Sequence, residues 1–277
     1  TKNSTLFLPD VLPILDVFFG MDNCDIFETS KNTYDVTKEK DYIKSFSTKV
    51  KETEEKRKSF FGNNVIEICK KADIVFLALH GKNGEDGKCQ AAFDLYGIKY
   101  TGSGHLASAM GMDKAVTKQI FMAKGVPTAK SVWVKKGEDT ELNRLNMSLP
   151  LVVKACNGGS SVGVVLVKDE KDYQNAVEEC FKYDNEILIE DFIEGREFSI
   201  GVLNGKALPI VEIIPREGWY DYENKYKDGA TTHVCPANLS DELTEKMQQV
   251  AVDACDAIGC SLCSRADVMM DTAEIGR

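Results

Sequence analysis

The loop at residues 157–163, with the sequence NGGSSVG, has the chemistry to hold a polyphosphate. Its glycines remove side-chain bulk, and its backbone N–H groups and the hydroxyls of Ser160 and Ser161 supply hydrogen-bond donors. A Walker motif would need a Lys and then Ser or Thr at the start of a helix, but a strand-like run follows here. Because such a segment by itself is more often an ordinary turn, its neighbours decide between the two interpretations.

Lys154 is the neighbour that favours an anion. It lies at the end of the strand-like run that leads into the loop, and a lysine on a buried strand needs an anionic partner to offset its desolvation. A phosphate would serve as that partner. The alternative is a lysine at the strand edge whose ammonium group extends to water.

The acidic stretch at residues 189–198, IEDFIEGREF, offers groups for a nucleoside. Glu190 and Glu197 can accept hydrogen bonds from an amino group or from ribose hydroxyls. The apolar side chains of Phe192 and Ile193 can line a flat pocket for a base. The alternative is a solvated acidic hinge.

The segments around these residues follow an α+β pattern. Asp113 can cap a helix that has Val116 and Ile120 on its apolar face and ends at Gly125. After it come, in chain order, a strand at 149–155, a strand at 162–168, a helix from Asp169 and a strand at 186–192. The two strands that flank the loop predict a hairpin.

A second group of elements follows. Residues 196–203 and 207–214 predict another hairpin around the Asn-Gly turn at 204–205, which is a strong two-residue turn signal. A helix capped by Ser240 and a strand at 264–270 come after it.

The first third of the chain contains a different pattern. Residues 72–79, ADIVFLAL, form a short continuous apolar run that is typical of a central parallel strand. The loop at 82–88 follows the carboxyl end of this strand, where open α/β sheets place their ligands. We therefore expect an α/β domain before the α+β elements.

Composition excludes several classes of function. The chain has 277 residues and a formal net charge of −10, so its long-range field would repel nucleic acid and anionic lipid. No apolar run reaches the roughly 18 residues that would span a bilayer. Residues 1–19 carry Pro9, Asp10 and Asp16 within their apolar stretch, which argues against a signal peptide. We expect a cytoplasmic protein that binds neither nucleic acid nor membrane.

The nine cysteines form an odd set, and we expect them to be reduced. Cys255, Cys260 and Cys263 have the C-x4-C-x2-C spacing of part of an iron–sulfur site. The alternative is packing, because Cys255 falls on the apolar stripe of the last predicted helix. Packing is a sufficient explanation.

Several motifs, taken together, resemble those of the D-alanine:D-alanine ligase family. In chain order they are the HGxxGEDG run at 80–87, YTGS at 100–103, MDK at 112–114, and the segments 158–163, 188–198, 220–226 and 265–270. The resemblance implies an ATP-grasp fold that combines α/β and α+β parts. A parallel-sheet α/β domain would occupy residues 1–111, and two ATP-grasp lobes would occupy 112–198 and 199–277.

The resemblance also implies a role for individual residues. Those expected to bind ATP are Lys114, Lys154, Ser160, Ser161, Glu190, Phe192, Ile193, Glu197 and Lys225. Those expected to serve the amino-acid substrates are His80 for binding, and Ser160, Tyr226 and Arg265 for catalysis. Asp267 would bind Mg²⁺ or Mn²⁺.

The activity implied is the ATP-dependent ligation of two D-alanines through an acyl phosphate, for peptidoglycan synthesis. Tyr226 matches relatives that form a dipeptide, so D-alanine rather than D-lactate is the expected second substrate. The family's N-terminal strand with a glycine-rich turn and its C-terminal Glu-x-Asn pair have no counterpart that we recognise, so we expect a chain truncated at both ends. A non-catalytic nucleotide-binding remnant is the alternative function, and a homodimer is left open as the assembly.

Overall fold

The computed structural model describes the backbone of residues 5–9 and the residues 60–62, 65–79, 81–159, 163–216 and 231–271. The chain splits into two compact units, one made of Thr1–Gly84 and Lys88–Thr101, the other of Glu85–Gly87 and Gly102–Arg277. The division into three segments at 111 and 198 stays a prediction. Within the described residues, every helix is too short or too polar to cross a membrane.

The first unit contains a parallel strand pair, as the apolar run at 72–79 predicts. Its elements are β1 (Thr5–Pro9), α1 (Val65–Lys71), β2 (Ile74–Ala78) and α2 (Lys88–Tyr96). β1 pairs with β2 in parallel, and Ile68, Val75 and Phe93 form the centre of a small core. The sequence did not predict β1, because a five-residue run that ends in proline is a weak strand signal until its partner is known.

The second unit begins with two helices, α3 (His105–Met112) and α4 (Lys114–Lys124). Asp113 caps α4 as predicted, since its carboxylate accepts a hydrogen bond from the Val116 N–H at 3.0 Å. The prediction that Val116 lies on the packed face was wrong, because that side chain is exposed. The buried residues of α4 are Ala115 and Lys118, so a lysine occupies the position expected of an apolar side chain.

The first sheet of this unit is antiparallel, with the strand order β3–β6–β4–β5. The elements are β3 (Ser131–Lys135), α5 (Leu142–Leu145), β4 (Leu151–Ala155), β5 (Val164–Val167), α6 (Glu170–Cys180) and β6 (Glu186–Asp191). Tyr173 and Val177 of α6 pack on Val153 and Ile189, and all four are buried. The predicted succession of strand, strand, helix and strand is confirmed.

The second sheet has the order β10–β9–β7–β11, with the short β8 paired to β7. The elements are β7 (Gly195–Leu203), β8 (Lys206–Ala207), β9 (Val211–Pro215), β10 (Thr231–Val234), α7 (Asp241–Ala257) and β11 (Cys263–Asp271). Helix α7 covers one face through Met247 and Ala251, which pack on Phe198 and Ile200. The Ser240 hydroxyl caps this helix by accepting the Leu243 N–H at 3.3 Å.

The predicted strand at 207–214 is split into β8 and β9. Val202 pairs with Ala207, but Ser199 pairs with Val211, so the second arm carries one more residue than the first between these pairs. The extra residue falls within 208–210, a segment that contains Pro209, which has no N–H to donate to the ladder. The predicted turn at 204–205 is confirmed, and both of its residues have a left-handed backbone, with φ of 49° and 73°.

Candidate functional site

Three charged side chains meet on the face of the first sheet that is turned away from α6. Because side chains alternate along a strand, Val153 and Ile189 face α6 while Lys154 and Glu190 face the other side. Lys118 reaches the same place from the buried face of α4. We call Lys118, Lys154 and Glu190 the buried charge cluster.

Glu190 is the centre of the buried charge cluster. Its Oε2 accepts a hydrogen bond from Lys118 Nζ at 2.9 Å, and its Oε1 accepts one from Lys154 Nζ. Lys118 Nζ also donates to Thr128 Oγ1 at 2.8 Å. Lys118 and Glu190 are each 8% exposed, so both charges are held in a largely desolvated environment. A buried pair persists only with such good geometry and further hydrogen bonds.

The pKa of Glu190 is set by burial and by the two lysines. Burial is the largest single influence and would raise the pKa, but the charges of Lys154 and Lys118, with their hydrogen bonds, outweigh it. The resulting pKa lies below the ordinary value. Glu190 is therefore an ionised carboxylate at neutral pH, and in that state it can only accept hydrogen bonds.

Lys114 lies beside the start of the glycine–serine loop. Its Nζ donates to the carbonyl oxygen of Gly158 at 2.8 Å. Burial, and then the nearby charge of Lys154, lowers the pKa of Lys114. Asn157 is fixed by Asp184 Oδ2, which accepts from its backbone N–H at 2.8 Å and its side-chain amide at 3.0 Å. Lys114 and Lys154 thus repel each other next to an anchored loop end, and Lys154 is also paired with Glu190. A further anion beside the two lysines would be favoured.

Three polar side chains of the second sheet meet on the face opposite α7. Arg265 Nε is 3.0 Å from Asp267 Oδ1, and its Nη2 donates to Oδ2 at 3.2 Å. Ser199, which is the register partner of Asp267, donates its hydroxyl to Oδ1 at 3.2 Å. We call Ser199, Arg265 and Asp267 the exposed polar cluster. Glu197 shares this face, since it lies opposite Met269.

Asp267, the predicted metal ligand, contacts Ser199 and Arg265 and remains partly open to solvent. Its side chain is 51% exposed, so the carboxylate can receive another ligand. Within the described residues, no three His, Cys, Asp or Glu side chains converge on one point. Mg²⁺ usually binds through one or two carboxylates and completes its shell with phosphate oxygens and water. One protein carboxylate is consistent with that arrangement.

The iron–sulfur alternative is not supported by the cysteine positions. Cys255 of α7 is buried in the core, whereas Cys263 is exposed at the start of β11. In the described part of the chain, Cys255, Cys260 and Cys263 do not form a group that could bind a metal. Packing explains Cys255, as the sequence indicated.

The remaining predicted site residues divide into two groups. Phe192 and Ile193 are half-buried in the segment between β6 and β7, next to Glu190 in sequence. Those that lie outside the described residues are His80, Ser160, Ser161, Lys225 and Tyr226. Their roles therefore stay predictions.

Lys118 is the site residue that the sequence analysis missed. A helical signal for it existed, because Lys114 and Lys118 are four residues apart and therefore share one side of α4. However, the sequence predicted that the buried face of the helix would contain Val116, so Lys118 was not expected to be buried. Its partner Glu190 lies 72 residues further along the chain, and no local sequence pattern predicts an ion pair over that separation.

Comparisons with known proteins give one consistent result. A family profile described as D-ala D-ala ligase C-terminus matches residues 120–275, and one described as D-ala D-ala ligase N-terminus matches 16–103. The D-alanine–D-alanine ligase of Pediococcus pentosaceus is 46% identical over 210 residues, which are 76% of this chain and 60% of that protein. The same enzyme of Citrifermentans bemidjiense is 46% identical over 198 residues, 72% of this chain and 64% of that protein.

Solved structures agree with the sequences. The crystal structure of D-alanine–D-alanine ligase from Bacillus anthracis complexed with ATP matches with a TM-score of 0.65 and 36% identity. The match covers 76% of this chain and 68% of that one. The chain spans 60 to 64% of the length of the two curated relatives above.

Proposed function

This chain belongs to the D-alanine–D-alanine ligase family and has its ATP-grasp fold, and on that premise we propose that it joins two D-alanines in an ATP-dependent reaction. One observation supports the nucleotide part above all others. Lys114, whose pKa is lowered by burial, and Lys154 lie close enough at the start of the glycine–serine loop for their charges to repel each other. The groups that hydrogen-bond Lys114 are the carbonyl oxygens of Cys156 and Gly158. The carboxylates of Asp113 and Glu190 favour its charged form but do not offset burial and the charge of Lys154, so a further negative charge would stabilise it. A polyphosphate would supply that charge.

We assign the remaining nucleotide contacts by their chemistry. Glu190 and Glu197 would accept hydrogen bonds from the base and the ribose, and Phe192 and Ile193 would contact the flat face of the base. The other groups proposed around the substrates are Ser160 and Ser161 in the closing loop, Lys225 over the nucleotide, and His80 and Tyr226 near the amino acids.

The first step we propose transfers the γ-phosphoryl group of ATP to a carboxylate oxygen of the first D-alanine. The new bond joins that oxygen to phosphorus, the bond to the β-phosphate oxygen breaks, and ADP leaves. Arg265 is suited to this step because its exposed guanidinium can stabilise charge on the carboxylate and on the phosphoryl group. Mg²⁺ bound at Asp267 would neutralise phosphate charge during transfer.

The second step forms the peptide bond. The amine nitrogen of the second D-alanine attacks the carbonyl carbon of the acyl phosphate, the carbon–oxygen bond to phosphate breaks, and the amine loses a proton. The products are D-alanyl-D-alanine and inorganic phosphate. Exclusion of water by the loop at 157–163 would protect the acyl phosphate from hydrolysis. We place this reaction in the cytoplasm, as part of peptidoglycan synthesis.

The test is phosphate release by this chain in the presence of ATP and Mg²⁺. We expect release that requires D-alanine, with D-alanyl-D-alanine formed in equal amount, and no release with L-alanine as the matched control. ATP binding without D-alanine-dependent release would contradict ligation and identify a nucleotide-binding remnant instead.

The second substrate is tested in the same assay. We expect D-lactate to be a poor replacement for the second D-alanine, because Tyr226 matches the dipeptide-forming members of the family. Comparable formation of the mixed ester product at neutral pH would contradict this assignment.

A further inference from the structure

Lys118 has no part in the proposed reaction. It is nevertheless among the most buried charged groups in the described part of the chain. It connects α4 to β6 through Glu190 and is tied to Thr128 by a second hydrogen bond of 2.8 Å. Burying an ammonium group is unfavourable unless the charge is paired and hydrogen-bonded. Lys118 meets both conditions in a fixed geometry.

The two lysines of the buried charge cluster differ in their freedom to leave Glu190. The Lys154 side chain is 27% exposed and lies at the end of β4, next to the loop. The Lys118 side chain is 11% exposed and has Thr128 as a second anchor. If Lys154 turns to a phosphate, Glu190 Oε1 becomes available while Lys118 still holds Oε2.

We propose that Lys118 is a positioning residue for nucleotide selection, which keeps Glu190 ionised and aims its Oε1 at the exocyclic amino group of adenine. The inference rests on the proposed function, because it assumes that Lys154 serves the phosphates and Glu190 the base. It adds a residue and a specificity to that site.

The selectivity follows from hydrogen-bond chemistry. An ionised carboxylate only accepts hydrogen bonds, so it pairs with the 6-amino group of adenine and opposes the 6-keto oxygen of hypoxanthine, which also accepts. A protonated carboxyl group can donate, and that distinction then disappears. Burial by itself would raise the pKa of Glu190, so a second permanent cation is needed once Lys154 has moved away.

The experiment compares the affinities of the full chain for ATP and inosine triphosphate, measured by calorimetry with Mg²⁺. The proteins are wild type, Lys118→Met and Lys118→Arg. Wild type is expected to prefer ATP. Lys118→Met should lower the ratio of the two affinities about tenfold, mainly by weakening ATP, because one charge-assisted contact loses its geometry. Lys118→Arg keeps the positive charge and should restore the preference to within about threefold.

Two further variants keep the test decisive. Glu212→Gln breaks the Arg196–Glu212 pair on the α7 side of the second sheet and should leave the nucleotide ratio unchanged. If Lys118→Met does not fold, Thr128→Val removes the hydroxyl that anchors Lys118 and should lower the ratio about threefold.

An unchanged ratio in a folded Lys118→Met protein, or an equal loss for both nucleotides, would overturn the inference and reduce Lys118 to a packing role. With an unfolded Lys118→Met protein, an unchanged ratio in Thr128→Val would do the same. Failure of wild type to bind either nucleotide would overturn the proposed function itself, and the inference with it.

Discussion

The buried charge cluster and the exposed polar cluster use the same kind of pair, a basic side chain against a carboxylate on a sheet face. They differ in their contact with water. The Glu190 side chain is 11% exposed, whereas that of Asp267 is 51% exposed and its partner Arg265 is 68% exposed. Similar groups therefore stand in very different dielectric surroundings.

That difference in exposure supports the two roles that we propose for the clusters. In the buried cluster each charge depends on its partners, because removal of one leaves an uncompensated charge away from water. In the exposed cluster the pair is worth little to stability, because water and salt screen it. The buried cluster is suited to fixed recognition, and the exposed cluster is free to exchange its internal contacts for those of a ligand.

The largest expected effect is on stability. Glu190→Gln should lower the free energy of unfolding by about 3 to 5 kcal/mol, because Lys118 and Lys154 lose their common counter-charge. Asp267→Asn, the matched change in the exposed cluster, should cost less than about 1 kcal/mol. Urea unfolding followed by circular dichroism measures both. Equal losses in the two variants would remove the distinction between the clusters.

The pH dependence of the unfolding free energy tests whether the stabilisation comes from an ionised Glu190. The pKa of Glu190 is lowered in the folded chain, so its stabilisation is complete above the ordinary glutamate value of 4.5 and is lost as pH falls through the lowered pKa. The difference between wild type and Glu190→Gln should therefore be constant near neutrality and shrink below about pH 4.5. A difference that grows on acidification would contradict an ionised Glu190.

The next effect is on turnover. Arg265→Met should reduce D-alanine-dependent phosphate release about 100- to 1,000-fold, the usual loss when one group that stabilises transition-state charge is removed. Its unfolding free energy should change by less than about 1 kcal/mol, as expected for a surface pair. Arg144→Met is the matched control, since Arg144 is also 68% exposed and paired to an acidic side chain. Normal turnover in a folded Arg265→Met protein would exclude Arg265 from the reaction.

The sequence predicted features that depend on neighbours along the chain. The Asp113 cap and the turn at 204–205 were correct, because each is specified by a few consecutive residues. Each cluster also contains residues that the sequence singled out. Lys154 and Glu190 were found from local pattern, whereas Arg265 and Asp267 depended on the resemblance to a family.

The sequence did not predict features set by contacts across the fold. Lys118 is buried because Glu190 of a distant strand receives it, and helical periodicity favoured Val116 instead. β1 became recognisable only through its parallel partner β2. The break between β8 and β9 did have a local signal in Pro209, which the apolar character of the run obscured.

The most direct test of the account is the affinity of Lys154→Met for ATP. Glu190 keeps Lys118 in this variant, so the fold should be retained. The loss of one charge-assisted contact, about 1.5 to 3 kcal/mol, predicts a dissociation constant that rises roughly ten- to hundredfold. Lys171→Met, an exposed lysine whose side chain is 76% exposed, should leave it unchanged. An unaltered affinity in folded Lys154→Met would make Lys154 only a partner of Glu190 and remove the proposed phosphate site.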